Sequence, residues 1–261
     1  MDLDGSMLLL SVVMSMALGG CMASFVETAA HRLVTGRPFW GMERSRCESC
    51  GRELSWQDLV PVVSYLVFRG RCRTCGDRIP PMYLLYEVFT ALAFGLMVVQ
   101  FGFGPRLISG WLMFLFGLFH AVTDLESGYV YDLVSASSFV CGLVLGGLTS
   151  GMYGVKGALL GALCGFLPLA AIVVLSFGRM GIGDGILMGG LGAFMGPFGA
   201  LLGVYLGLFI GGLWAVGLLA IHRVGRKDPI PLAPFLWVGS FLAYVTMDRA
   251  WALLEVFRLY L

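Results

Sequence analysis

The sequence predicts an all-α polytopic membrane protein with about eight transmembrane helices and one long polar loop between the first two. Hydrophobic residues make up 58% of the 261-residue chain, whereas charged residues make up 13%. Soluble domains carry about 25% charged residues, and the mean hydropathy of this chain is +0.87. The composition therefore excludes an ordinary soluble domain. The net charge of +1 indicates no class of partner.

Eight apolar segments approach the ~20 residues that a spanning helix needs. The break between the sixth and seventh segments depends on Gly196-Pro197-Phe198-Gly199, and a count of seven stays open. Residues 248–261 mix apolar and charged side chains and are predicted to form a C-terminal interfacial segment. The candidate spans are residues 7–26, 83–101, 107–123, 133–150, 157–177, 185–201, 203–221 and 232–247.

The long polar loop, residues 28–82, holds nine of the 17 basic residues. Because cytoplasmic segments carry an excess of Lys and Arg, this loop is predicted to be cytoplasmic and the N-terminus to lie outside. The chain then divides into a first transmembrane helix (residues 1–27), the loop, and a seven-helix membrane domain (residues 83–247). The same topology puts four further basic residues on the cytoplasmic side, namely Arg179, Arg223, Arg226 and Lys227.

Glycines recur at the spacing that lets helices pack closely in a membrane. The chain has 38 glycines, and several are four residues apart, a pattern that allows two helix backbones to approach each other. The pattern is typical of membrane helices and does not identify a function. The sets are Gly142/Gly146, Gly157/Gly161/Gly165 and Gly181/Gly185/Gly189.

Four cysteines of the polar loop form two C-x-x-C units, Cys47-x-x-Cys50-Gly51 and Cys72-x-x-Cys75-Gly76. In a cytoplasmic loop, two such units favour a tetrahedral zinc site over disulfides, with a redox dithiol pair as the alternative. The glycine after each second cysteine permits the positive φ that such a turn requires. A site closed by four thiolates has no open position for catalysis, so the predicted zinc is structural.

Two carboxylates at the ends of predicted spans are candidates for chemistry. Asp124 ends the third span, and Asp184 opens the sixth among glycines that are expected to unwind the helix locally. Ionisable groups at membrane spans are costly and are functional candidates by default. Two acids that share a site can work as an acid–base pair on water. The helix dipole predicts that Asp184 is the ionised member and Asp124 the protonated one.

The chain resembles the bacterial type IV prepilin peptidases, also called leader peptidase/N-methyltransferases, which are G-x-G-D aspartyl membrane proteases. The motifs that carry the resemblance run from about residue 19 to residue 240 and occur in the family's order. They are Ala23-Ser24-Phe25, the two C-x-x-C units, LVPVVSYLVFRGRC from Leu59 to Cys72, YLLYE from Tyr83 to Glu87, TDLE from Thr123 to Glu126 and MGIGDG from Met180 to Gly185.

The resemblance implies a catalytic pair, Asp124 and Asp184, that cleaves prepilin or pseudopilin leaders at the cytoplasmic face of the bacterial inner membrane. It also implies methylation of the new N-terminal residue from S-adenosylmethionine, with Glu27, Gly70 and Glu87 as cofactor-binding residues. Membrane lipid is the other expected partner, no nucleic acid is expected, and the oligomeric state stays open. Two departures bear on methyl transfer, because Glu27 replaces the family's usual Asn and Ile186 its usual Lys.

Two other classes of function remain open at this stage. A proton- or metal-coupled transporter would use Asp124 and Asp184 as relay acids, but transporters are often built from internal repeats and none is evident. A zinc-loop scaffold that has lost its activity would not need the two acids, and both are present. The peptidase hypothesis accounts for the acids and the cysteines together.

Overall fold

The computed structural model describes residues 5–37, 44–177, 180–223, 225 and 230–260, with side chains as far as residue 250. The described residues form seven α-helices and a short 3-10 turn, and five of the helices are long and apolar enough to cross a membrane. These five are α1, α3, α4, α5 and α6. The helices are α1 Gly5–Val34, α2 Val63–Val67, α3 Pro81–Phe101, α4 Pro105–Ser127, α5 Asp132–Leu175, α6 Ile182–Ala220 and α7 Ala233–Tyr260.

The chain forms two compact units, Met1–Leu107 and Ile108–Leu261. In the first unit α1 packs along α3, because glycines on each helix admit side chains from the other. A β-carbon at Gly19 would lie 2.9 Å from the ring of Phe94, and one at Gly95 would lie 2.8 Å from Met16. The polar loop joins the two helices and carries the cysteines, the 3-10 turn and α2.

In the second unit the 44-residue helix α5 folds back on itself near its middle. Ser150 and Gly151 have non-helical backbone angles, with φ of +55° at Gly151. A β-carbon at Gly146 would lie 2.8 Å from the carbonyl oxygen of Gly154, eight residues later. Eight residues of straight helix rise about 12 Å, so the two halves of α5 are antiparallel.

Helix α6, 39 residues long, reverses in the same way at Gly196, whose φ of +69° lies in the left-handed region. A β-carbon at Gly192 would lie 3.1 Å from the β-carbon of Ala200, again only eight residues on. The reversal lies within the predicted Gly-Pro-Phe-Gly break. The second half of α6 then packs on α7, where a β-carbon at Gly207 would lie 2.9 Å from Leu236.

Several of the glycines with helix-packing spacing make the expected close contacts. Gly161 faces the carbonyl oxygen of Gly192, and Gly165 faces that of Met188, so α5 and α6 meet backbone to backbone. The pattern fails at Gly157 and Gly181, where an added β-carbon would meet nothing within 4 Å. Spacing alone does not say which glycine of a repeat faces a neighbouring helix.

Some element bounds differ from the predicted spans. Helix α1 runs on to Val34, beyond the apolar stretch that ends at residue 26, and α7 continues as one helix through Tyr260. The segment from residue 248 therefore extends the last helix, because charged side chains do not stop a helix that lacks a Gly or Pro breaker. Arg179, Arg226 and Lys227, which the topology argument used, lie outside the described residues.

Candidate functional site

The four loop cysteines come together in two knuckles with the same backbone hydrogen bonds. The N–H of Gly51 donates to the carbonyl of Cys47 at 2.8 Å, and that of Gly76 donates to the carbonyl of Cys72 at 3.0 Å. Both glycines have a positive φ, +69° and +72°, which confirms the sequence prediction. Ser49 of the first knuckle also donates to the carboxylate of Asp77, beside the second.

The sulfur atoms are spaced as a tetrahedral metal site requires. All four lie within 4.8 Å of one another, and the Sγ atoms of Cys47 and Cys75 are 3.8 Å apart. Four sulfurs placed tetrahedrally at the usual Zn–S distance of about 2.3 Å would be about 3.8 Å apart. Backbone hydrogen bonds from Cys75 and Thr74 lower the pKa of Cys72 to about 6. A backbone hydrogen bond from Asp77 acts to lower the pKa of Cys75, but burial and hydrogen bonds with the other three thiols outweigh it and raise that pKa to about 12. Cys72 therefore gives the thiolate that a metal binds more readily than Cys75 does. The cysteines therefore could hold a metal ion.

Three of the arginines that flank the cysteines are paired with acidic residues. Arg52 donates to both carboxylate oxygens of Asp58, at 3.0 and 3.1 Å, while Arg46 pairs with Glu53 and Arg73 approaches Asp58. Burial works to raise the pKa of Asp58, but hydrogen bonds from Arg52 and Ser55 outweigh it and lower that pKa to about 2. Asp58 therefore stays ionised and braces the loop between the knuckles.

Asp124 lies in the last turn of α4 and is buried, with 8% of the residue exposed. Its Oδ2 accepts a hydrogen bond of 2.9 Å from the backbone N–H of Ala233, the first residue of α7, and the N–H of Leu232 also faces it. The carboxylate therefore caps the N-terminus of a helix that is 109 residues away in the chain. One turn earlier in α4, His120 is fully buried, and its Nε2 lies 3.1 Å from the Oγ of Ser135 in α5.

Asp184 lies in the first turn of α6 and is partly exposed. The surrounding glycines do not unwind this helix, which begins at Ile182, so that expectation is wrong. They serve close packing instead: a β-carbon at Gly183 would lie 3.0 Å from Val130, and one at Gly185 would lie 3.3 Å from Phe166. The lack of a side chain at Gly183 and Gly185 lets the α4–α5 connection and α5 lie against the turn that carries Asp184.

The two aspartates belong to the same unit and are close enough for their charges to repel each other. The other acids of this region, Glu126 in the last turn of α4 and Asp132 at the start of α5, are exposed. Each member of the pair has a helix N-terminus beside it, α7 for Asp124 and α6 for Asp184. The dipole of the helix that carries each aspartate therefore does not decide which of the two is ionised.

The first unit contains a cavity of about 290 Å³ under the knuckles, close to the lower end of the volumes of small-molecule pockets. Two of the predicted cofactor-binding residues line it. Glu27 of α1 is almost fully buried, at 2% exposure, and Glu87 of α3 accepts a hydrogen bond of 2.6 Å from the backbone N–H of Val62. Aromatic rings of Tyr65 and Tyr83 and several arginines complete the wall: Arg32, Arg37, Arg44, Arg46, Arg52, Arg71 and Arg78.

The third predicted residue, Gly70, lies behind the cavity wall. It is buried with φ of +63°, and a β-carbon there would lie 2.7 Å from the ring of Tyr65. The Gly70 N–H donates to the carbonyl of Tyr65, and its own carbonyl accepts from Ile79. Gly70 therefore sets the position of Tyr65, a residue that does line the cavity.

Sequence reasoning did not find the backbone donors of Leu232 and Ala233 or the role of Val62. The sequence signal for the donors of Leu232 and Ala233 was the pair of prolines Pro231 and Pro234, because proline often marks the start of a helix. Nothing in the sequence joined that helix start to Asp124. The strained φ of +63° at Val62 has no sequence signal, since β-branched residues rarely adopt it.

Comparison with known proteins divides the chain at the same point as the structure. Residues 17–101 match the model of the bacterial peptidase A24 N-terminal domain, and residues 111–216 match that of the type IV leader peptidase family. The cysteines, Glu27, Gly70 and Glu87 fall in the first region, and both aspartates fall in the second. No solved structure matches the chain.

The curated relatives include proteins named prepilin leader peptidase/N-methyltransferase. The one from Bacillus subtilis (strain 168) is 31% identical over 205 residues, which cover 78% of this chain and 82% of the relative. The one from Burkholderia pseudomallei (strain K96243) is 32% identical, with 88% and 84% covered. The one from Pseudomonas aeruginosa is 28% identical and covers 91% of each chain.

Proposed function

Because the chain belongs to the type IV leader peptidase family, we propose that it cleaves the leader of prepilins or pseudopilins and then methylates the new N-terminus. The relatives' names carry both activities and do not support the transporter alternative. The observation that carries cleavage to this chain is that both aspartates lie in the unit that matches the peptidase model, near enough for the charge of Asp124 to act on Asp184.

Asp124 and Asp184 are the catalytic pair of this proposal. Two adjacent carboxylates share one proton, so that one acts as the base on a water while the other donates a proton to the leaving amine. The Ala233 N–H holds the carboxylate of Asp124 in a fixed orientation. Asp184 is partly exposed, and a water can therefore reach it from the cytoplasmic side.

Eight crossings fit this chain once α5 and α6 are each counted as two helices. Their reversals at Gly151 and Gly196 return the chain to the side from which it came, and α7 contributes the eighth crossing. With the arginine-rich loop in the cytoplasm, the N-terminus lies outside and both aspartates lie at the cytoplasmic face. The protein is then a multi-pass protein of the bacterial inner membrane.

Zinc is the metal that the four cysteines would hold, as a structural ion. The Cys47 and Cys75 sulfurs are 3.8 Å apart and all four sulfurs lie within 4.8 Å of one another, which supports a tetrahedral thiolate site. The ion would fix the two knuckles above the cavity. Because all four ligand positions are protein thiolates, the ion takes no part in peptide hydrolysis. Its contribution is to the folding of the loop.

The cavity of the first unit is the site at which S-adenosylmethionine would bind, with its methyl group as the electrophile. Glu27 suits the cationic amine and sulfonium groups, the arginines suit the carboxylate, and the rings of Tyr65 and Tyr83 suit the adenine. Glu87 supports the cavity through Val62, and Gly70 supports it through Tyr65. S-adenosylmethionine would supply the methyl group, and Glu27 would accept the proton that the ammonium of the new N-terminus must lose before it can react.

One experiment tests both activities. The purified protein is incubated with candidate prepilins and pseudopilins, with and without S-adenosylmethionine, and the product masses are measured. Loss of the leader alone supports the peptidase, and a further gain of about 14 Da, the mass of one CH₂, supports methyl transfer. Intact substrate after incubation of the folded protein with every candidate would contradict the proposed function.

A further inference from the structure

The segment Leu59–Phe68 of the polar loop has no charged residue, although Asp58 precedes it and Arg69 follows it. In the structure it contains the short helix α2, and its large apolar side chains lie on the outside. Val63, Leu66 and Val67 are 54%, 62% and 64% exposed. Residues spaced i, i+3 and i+4 share one face of a helix, so these three form a continuous exposed apolar face.

The opposite face of α2 points inward and is the more polar one. Ser64, Tyr65 and Phe68 line the cavity of the first unit. A helix on the surface of a water-soluble domain has the reverse arrangement, with its apolar stripe inside and its polar face in water. The arrangement seen here suits a helix whose outer face meets hydrocarbon.

Two contacts show how far this segment lies along the spanning helices of its own unit. Pro61 lies against Gly20 of α1, since a β-carbon added at Gly20 would be 3.3 Å from the Pro61 ring. Gly20 precedes Arg32, a charged residue near the end of α1, by twelve residues, which is about 18 Å of helix. Val62 donates to Glu87, which follows Pro81, the first residue of α3, by six residues, about 9 Å. Both contacts lie well inside the ends of α1 and α3.

Most of the backbone N–H groups of the segment meet the requirement that a membrane makes of non-helical chain. Such backbone is tolerated at membrane depth only where its N–H groups are paired within the protein. The Val62 N–H, at the strained residue before α2, finds its partner in the partly buried carboxylate of Glu87. Other N–H groups pair with backbone carbonyls within the segment or just before it: those of Leu59, Val63, Ser64, Leu66 and Phe68.

We propose that Leu59–Phe68 is a re-entrant segment that dips into the cytoplasmic leaflet and presents Val63, Leu66 and Val67 to lipid acyl chains. The occupant is phospholipid hydrocarbon, because the segment is uncharged, its exposed face is apolar and it lies beside the apolar parts of α1 and α3. On this view Glu87 is kept at membrane depth to satisfy the Val62 N–H. The inference concerns membrane insertion and does not depend on the proposed reactions.

The test is site-specific photocrosslinking in vesicles of phosphatidylethanolamine and phosphatidylglycerol. Benzoylphenylalanine replaces Leu66 in the full chain, and adducts are identified by mass. Leu85 of α3 is the membrane control, since it is 57% exposed and lies two residues from Glu87. Glu53 is the aqueous control, since its side chain is 51% exposed beside the knuckles. Zinc content checks that each variant has folded.

We expect phospholipid adducts at Leu66 in a yield similar to that at Leu85 and at least about tenfold above that at Glu53. A yield at Leu66 no higher than at Glu53, with Leu85 labelled, would overturn the proposal. Adducts at Leu66 confined to the chain itself would also overturn it, because another part of the protein would then cover α2. If the Leu66 variant does not retain zinc, the same substitution at Val63 provides the measurement.

Discussion

The backbone N–H of Ala233 donates a 2.9 Å hydrogen bond to Oδ2 of Asp124, so the start of α7 fixes a carboxylate at the end of α4. Ala233 is fully buried and Asp124 is only 8% exposed, so water competes little for this contact. A backbone donor costs no side-chain entropy and cannot turn away. The helix start thus acts as a rigid support for one of the two acids.

Ala233→Pro should lower leader cleavage by about 10- to 100-fold, since a hydrogen bond to a charged group contributes about 1.5–3 kcal/mol. Proline removes the N–H donor yet is tolerated at the first position of a helix. Ala233→Ser keeps the donor and is the matched control, with cleavage near that of the unchanged protein. Rates are measured on prepilin by mass. Equal rates for the two variants would mean that the hydrogen bond does not support Asp124.

Asp124→Asn and Asp184→Asn should each lower leader cleavage by about 10²- to 10⁴-fold, the usual contribution of a general acid or base. The substitution keeps the size of the side chain but removes its ability to exchange a proton. Asp132→Asn, at the exposed start of α5, is the control and should cleave normally. A folded Asp184→Asn protein with full activity would disprove the assignment of the catalytic pair.

The features that were predictable from sequence are those set by local chemistry. The Gly196-Pro197 pair favours a helix break, because proline clashes with the helical turn before it and glycine tolerates a positive φ. The reversal of α6 accordingly lay within the predicted break. The glycine after each cysteine pair predicted the positive φ at Gly51 and Gly76. These features depend on residues that are neighbours in the chain, and a sequence displays such neighbours directly.

The features that were not predictable depend on distant parts of the chain. Ala233 lies 109 residues after Asp124, and Glu87 lies 25 residues after Val62; no local pattern joins either pair. For the same reason the glycines around Asp184 were expected to unwind the helix, when they make room for Val130 and Phe166 instead. Only the packed helices show whether such glycines unwind a helix or make room for a neighbouring one.

Gly70→Ala should abolish most methyl transfer and leave leader cleavage within about twofold of the unchanged rate. The new β-carbon would lie 2.7 Å from the ring of Tyr65 and would push that ring into the cavity. Gly36→Ala is the matched control, because Gly36 has a similar φ of +67° but no neighbour within 4 Å. Methylation and cleavage are measured by mass on the same samples. Equal methylation in both variants would show that the displaced Tyr65 ring does not control methyl transfer.

Asp58→Asn should speed zinc loss to a chelator about five- to tenfold, because the hydrogen bonds from Arg52 weaken without the charge. The folded pKa of Asp58, about 2, lies below its ordinary value of 3.8. Its contribution is therefore complete above about pH 4 and is lost as the pH falls toward 2. The ratio of the two zinc-loss rates should thus be the same at pH 7 and pH 5.

The control for this prediction is Glu53→Gln, which removes an exposed ion pair with Arg46 and should change zinc loss little. Protons compete with zinc for the thiolates, so absolute rates will rise at pH 5 in every variant. The comparison therefore uses the ratio of variant to unchanged protein. A ratio that falls between pH 7 and pH 5 would show that Asp58 already becomes protonated in that range.

Cys72→Ser should separate the two activities. It removes one of the four thiolates that lie within 4.8 Å of one another, and because metal binding and folding are linked in small zinc modules, the loop should loosen. The cavity beneath the knuckles is lined in part by that loop, so methyl transfer should be lost with the zinc. Both aspartates belong to the other compact unit, and leader cleavage should therefore persist at a measurable rate.

The measurement for Cys72→Ser is zinc content, leader removal and N-terminal methylation on one preparation. Cys141→Ser is the matched control, since Cys141 is a cysteine of α5 outside the four-cysteine group, and it should retain zinc and both activities. If the loop arginines bind acidic groups of the prepilin, a folded, zinc-free protein will show no cleavage at all. The loop would then contribute to substrate binding by the peptidase as well as to methyl transfer.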